Sequence, residues 1–229
     1  MNSTDHAALL APSYFIDSDH PAVVEFAMRA IDGAQESRER AVRLYYAVRD
    51  QIRYNPYAAD MSREAMKAST VAQRGESFCV PKSILLAACA RAVGIPSRLG
   101  FADVRNHLTS NRLKESMRGN DLFVFHGQTL MYVDGRWSKS TPAFNLSLCQ
   151  KINILPLEYD GQTDSVFHPF DQAGNRHMEY VRDRGLYDDM PYEAFATAMQ
   201  QTYGKTFAES AGVRDGSADD FEAEAYAGS

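Results

Sequence analysis

The chain has 229 residues, 45% of them hydrophobic and 24% charged, the balance of a globular protein and not of a disordered, collagenous or membrane-embedded chain. Its formal charge is −6. Five acids against one base, Arg214, between residues 213 and 229 supply −4 of it, so the remaining body is near neutral and has no basic footprint for nucleic acid.

From the start, Met1 to Pro12 has neither the basic residue nor the apolar length of a signal core, and no run reaches membrane-spanning length. Three cysteines (Cys79, Cys89, Cys149) are too few and too unevenly spaced for a disulfide framework or a zinc knuckle, which predicts a reducing cytoplasm. Pro21 opens a helical pattern through Val23, Val24, Ala27 and Ile31 that Gly33 ends, and a second helix follows through Ala41, Leu44, Tyr45, Val48 and Ile52. After Asn55-Pro56 comes a polar connector, with apolar order returning near Val71.

Pro81, Ile84, Leu85, Ala88, Cys89, Ala92 and Val93 then predict a buried helix stopped at Gly94-Ile95-Pro96. Cys79 falls at its start, where free backbone N–H groups and the positive helix end favour a thiolate, with Lys82 adding positive charge. Ser97 to Val104 reads as a strand, residues 105 to 121 as a polar loop, and Leu122 to Val133 as a strand that turns at Asp134-Gly135 into another from Arg136. Ile152 to Tyr159 is a further strand candidate, and Tyr192 to Tyr203 a closing helix ended by Gly204. Residues 1 to 212 form one domain, and 213 to 229 an acidic, disordered tail whose Phe221 and Tyr226 are the residues able to dock it.

A two-residue Asp134-Gly135 turn sets Val133 opposite Arg136 and Gln128 opposite Thr141. His126 and Thr141 then share a face as diagonal neighbours. A thiol at a helix start, a histidine on a strand and a polar group on the next strand are the parts for acyl transfer through a thioester. Oxyanion donors are expected from the Cys79 N–H, with Gln73 or Gln128 as side-chain candidates.

The run Gly75-Glu76-Ser77-Phe78-Cys79, the helix end Ala90-Arg91-Ala92-Val93-Gly94-Ile95-Pro96-Ser97-Arg98, and the later His126, Trp137 and Thr141-Pro142 resemble the transglutaminase-like superfamily of cysteine enzymes, over the span from the second helix to about residue 145. The resemblance implies an α+β, papain-like core with the nucleophile at the N-terminus of a buried helix packed on an antiparallel sheet. It maps the nucleophile to Cys79 and its activating histidine to His126. The third motif position, usually aspartate, is Thr141 here. Threonine can orient an imidazole but lends it no charge, as the neutral Asn of papain-like proteases does. A carboxylate from Asp103 or Glu179 is the alternative partner.

Cys89 and Cys149 read as buried packing residues, Trp137 as a core anchor, and no histidine spacing suggests a metal. The expectation is a cysteine protease, amidase or transamidase acting on a protein or peptide, with no cofactor and no nucleic-acid or membrane partner; the oligomeric state is left open. The competing expectation is a protein-binding module that keeps this fold without catalysis.

Overall fold

A computed structural model describes residues 3–107, 111–167, 170–204 and 221–222. The first helix, α1 (Ser3–Ala8), precedes α2 (Pro21–Ile31), which begins where His20 Nδ1 accepts from the Ala22 N–H at 3.2 Å and ends on a left-handed Asp32. Next come α3 (Ser37–Gln51), the two-residue strand β1 (Arg53–Tyr54) and α4 (Ala68–Arg74), which a left-handed Gly75 closes. β2 (Glu76–Ser77) pairs in parallel with β1 and delivers the chain into α5 (Cys79–Ala92).

Twelve consecutive residues of α5, Val80 to Arg91, are buried, so this is a central helix and not an amphipathic surface one. Ile84, Leu85 and Leu86 are wholly removed from water, each contributing about 1.5–3 kcal/mol of hydrophobic stabilisation. Lys82 is buried too, and its ammonium donates to the carbonyl oxygens of Arg49 (2.9 Å) and Ile52 at the end of α3. The charge expected beside Cys79 is therefore spent mainly on orphan carbonyls of another helix, and burial pulls the Lys82 pKa down to about 7.

After α5 come β3 (Ser97–Asn106), α6 (Asn111–Ser116), β4 (Leu122–Val133), β5 (Arg136–Ser140), α7 (Leu146–Lys151), β6 (Met178–Tyr187) and α8 (Tyr192–Tyr203). The larger sheet is antiparallel throughout, ordered β5-β4-β3-β6, and the helical layer led by α5 packs on one of its faces. The fold is thus α+β, with a buried helix against an antiparallel sheet.

The hairpin register is the expected one, running from Val133 opposite Arg136 to Thr129 opposite Ser140, with Asp134 and Gly135 both at positive φ. Two expectations need correction, and one strand was not anticipated. The polar loop at 105 to 121 contains α6, whose Leu113 and the following Met117 are buried. Ile152 to Tyr159 is not a strand: Ile154, Leu157 and Tyr159 are buried in irregular chain, where Pro156 removes a backbone donor. The strand beside β3 is instead β6, a largely exposed edge.

Candidate active site

Cys79 opens α5, and β4 crosses that helix end so closely that a Cβ on Gly127 would stand 2.9 Å from Val80 Cα and 3.3 Å from the Cys79 carbonyl oxygen. Glycine at 127 is what allows strand and thiol to meet. Gly127→Ala is expected to cost about 1–3 kcal/mol, because the clash is with backbone that cannot rotate away; denaturant melts of the two chains check it, and equal midpoints would contradict the contact.

Burial pushes the Cys79 thiol up to about 11, although the N–H groups of Gly127, Val80 and Cys79 itself favour its thiolate. Desolvation outweighs the helix-end effect expected from sequence, and the resting group is a thiol. His126, on β4, is 5% exposed, and burial drives its pKa down to about 3, so its imidazole is neutral. Its ring lies 4.9 Å from that of Phe167. No hydrogen bond joins Cys79 to His126 in this arrangement; His126 Nε2 and Thr141 Oγ1 are both buried without a partner in hydrogen-bond geometry. The expected imidazole–threonine bond is therefore not formed, and the β4–β5 pairing ends at Thr129 opposite Ser140, one pair short of Thr141. Buried polar atoms left so cost about 1–3 kcal/mol each and concentrate at sites where a ligand supplies the missing contact.

A bulge aims the histidine. Ala102 pairs with His126 but Val104 with Phe123, so Val124 and Phe125 oppose Asp103 alone, and Phe125 takes a φ of 56°. Asp103 holds this bulge: its carboxylate accepts from the Phe125 N–H at 3.0 Å and pairs with Arg184, with Nη2 at 2.9 Å from Oδ2. It is thereby committed away from His126. Glu179 faces His107, 3.3 Å away, so the structure does not bring either alternative carboxylate to the imidazole.

The glutamines fare similarly. Gln73 is exposed on α4 and lines neither cavity of the site. Gln128 donates to the Tyr180 hydroxyl at 3.1 Å; like His126, two residues before it on β4, it alternates with Gly127 and Thr129, which take the α5 side. The Tyr180 hydroxyl also accepts from the Phe167 N–H at 3.3 Å and lies toward Thr141.

Two small cavities flank the strand, one of about 50 Å³ against Cys79 and one of about 20 Å³ against His126; Tyr54, Leu113 and Phe123 line both. Leu113 and Met117 from the α6 region, with Phe195, Met199 and Tyr203 from α8, wall the Cys79 side. Tyr54 and Tyr203 are the residues that sequence reasoning missed: burial raises both phenols, and each interacts electrostatically with Cys79. Nothing in their sequence neighbourhoods marks them, since tertiary packing alone brings them to the thiol. Trp137 packs with Tyr132 (5.3 Å between ring centroids), away from both cavities.

The family model of the transglutaminase-like superfamily matches residues 24–142, more than half of the chain. The protein belongs to that superfamily. Similar solved structures include a candidate cysteine protease from Cytophaga hutchinsonii, at 15% identity and a TM-score of 0.46 over 62% of this chain and 43% of that one. Another is a candidate protease from Parabacteroides distasonis, at 18% identity and a TM-score of 0.40 over 62% of this chain and 27% of that one. The matches span less than half the length of either neighbour. No curated protein matches the chain. Among the described residues, no helix is long and apolar enough to cross a membrane, and no cluster of candidate metal ligands occurs.

Proposed function

We propose that the protein is a cysteine acyl-transfer enzyme acting on amide bonds of a protein or peptide, with Cys79 as nucleophile and His126 as its base. The observation that carries this reading is the junction of α5 and β4, where Gly127 lets the strand bearing His126 lie against the first turn bearing Cys79. The resting pair is thiol and neutral imidazole, and burial opposes proton transfer between them; on this reading a bound substrate changes those surroundings, and the imidazole takes the thiol proton as sulfur adds to the carbonyl carbon. The N–H groups at the helix start and of Gly127 are the donors for the resulting oxyanion. Collapse of the intermediate expels the amine with the proton from His126 and leaves a thioester, which water or a second amine resolves.

The second reading, a binding module that has lost catalysis, is favoured by the absence of a bond between Thr141 and His126 and by the raised thiol pKa. Limited iodoacetamide labelling at neutral pH, followed by peptide mass spectrometry, separates the two. The enzyme reading expects Cys79 to be alkylated while Cys89 and Cys149 stay silent, and His126→Ala to slow that reaction about ten-fold or more. A Cys79 rate indifferent to His126 would overturn it in favour of the module.

A further inference from the structure

Phe221 and Glu222, the described residues of the acidic tail, are seated in the candidate cleft. The Phe221 ring lines the His126 cavity together with Tyr54, Phe144 and Phe167, with ring centroids 5.7 Å from both Tyr54 and Tyr57. Tyr54 is also a wall of the Cys79 cavity. Beside it, Glu222 is only 12% exposed: one carboxylate oxygen accepts from Asn145 Nδ2 at 3.2 Å and the other faces Lys151 Nζ at 3.2 Å. Asn145 is itself 4% exposed and held in place by the Tyr54 N–H, which donates to its Oδ1 at 3.0 Å. Burial works against the Glu222 carboxylate, yet bonds from Ser147, Asn145 and Lys151 hold its pKa below the usual range. An apolar slot next to a fixed amide and a lysine is a recognition site for an aromatic residue followed by an acidic one.

We propose that this slot is the substrate subsite of the cleft, selecting peptide segments with an aromatic side chain followed by an acidic one, and that the chain's own Phe221-Glu222 pair occupies it as a competing intramolecular ligand. The proposal rests on the reading of the cleft as an acyl-transfer site. The two cavities at Cys79 and His126 hold only about 50 and 20 Å³, so a peptide can enter the slot beside His126 only as Phe221 leaves it. Phe221 and Glu222 belong to the same chain as the cleft, so their contact is intramolecular, and a weak dipeptide contact made that way can compete with free substrate.

The test reads binding apart from chemistry, in full-length chains carrying Cys79→Ala, with a fluorescein-labelled peptide copying residues 217–226 and fluorescence anisotropy as the readout. Adding Phe221→Ala and Glu222→Ala to the chain is expected to tighten peptide binding about three-fold or more, because the resident tail no longer competes. Phe221→Ala in the peptide should abolish binding. Lys151→Glu in the emptied chain should weaken it, and a peptide with Glu222→Lys should regain the loss. Equal affinity for chains with and without the resident pair, or no binding to the emptied chain up to millimolar peptide, would overturn the proposal. Peptide binding in a protein whose Cys79 proves inert would leave the subsite standing and remove the enzyme; a reactive Cys79 in a chain indifferent to the peptide would do the reverse.

Discussion

Cys79→Ala is expected to abolish acyl transfer while leaving stability within about 1–2 kcal/mol of the wild type, the range for a half-buried side chain whose loss opens little space. Cys89→Ser is expected to do the opposite. Cys89 is wholly buried in the middle of α5, where burial raises its thiol and a hydroxyl would have to be desolvated among apolar neighbours, at about 1–3 kcal/mol. Denaturant melts and turnover assays on both variants check the pair. An unfolded Cys79→Ala chain beside a harmless Cys89→Ser would mean that core and site had been exchanged.

The second large effect is on stability in mild acid. Burial holds His126 neutral down to about 3, whereas in the unfolded chain its ordinary pKa is 6.5. Between those values the unfolded chain binds a proton that the folded chain refuses, so stability falls as pH falls, by at most about 1.4 kcal/mol per pH unit. From about pH 7 to about pH 5 this amounts to roughly 2 kcal/mol, a large share of the stability of a typical domain. His126→Gln should flatten the dependence over the same range in urea titrations. An identical slope in wild type and variant would show that the imidazole is not held neutral by burial.

The parts of the fold legible in the sequence are those where local chemistry and tertiary demand agree. Asp134-Gly135 fixed the β4–β5 register because both turn residues need positive φ, and Pro81, Gly94 and Gly204 marked where α5 and α8 begin or end. β6 escaped notice because it is an exposed edge rich in charge, from Glu179 through Arg182, Asp183 and Arg184, with no alternation to read. In Ile152 to Tyr159 the apolar residues serve packing instead of a ladder, a difference that composition does not carry.

The site was legible to the same depth. Cys79 at a helix start and His126 on a strand followed from punctuation and register, but register assigns a face and not a distance, and so it could not foresee that Thr141 makes no bond to His126. The bulge at Val124–Phe125, which Asp103 and Arg184 hold, depends on contacts 81 residues apart in sequence. Phe221 and Tyr226 stand out in the acidic segment as the residues able to dock it, but the place where Phe221 docks was not legible, because the slot formed by Tyr54, Phe144 and Phe167 exists only once the chain is folded.

The most direct test of Cys79 as nucleophile and His126 as base is to trap the covalent intermediate. Wild-type protein is mixed with p-nitrophenyl acetate, quenched in acid within one turnover, and digested for mass spectrometry. The account predicts a hydroxylamine-sensitive acetyl group on the Cys79 peptide, forming together with a burst of p-nitrophenol. Both should be absent from Cys79→Ala, and both slowed about ten-fold or more in His126→Ala. Acetylation confined to surface lysines, with p-nitrophenol release unchanged in Cys79→Ala, would contradict it.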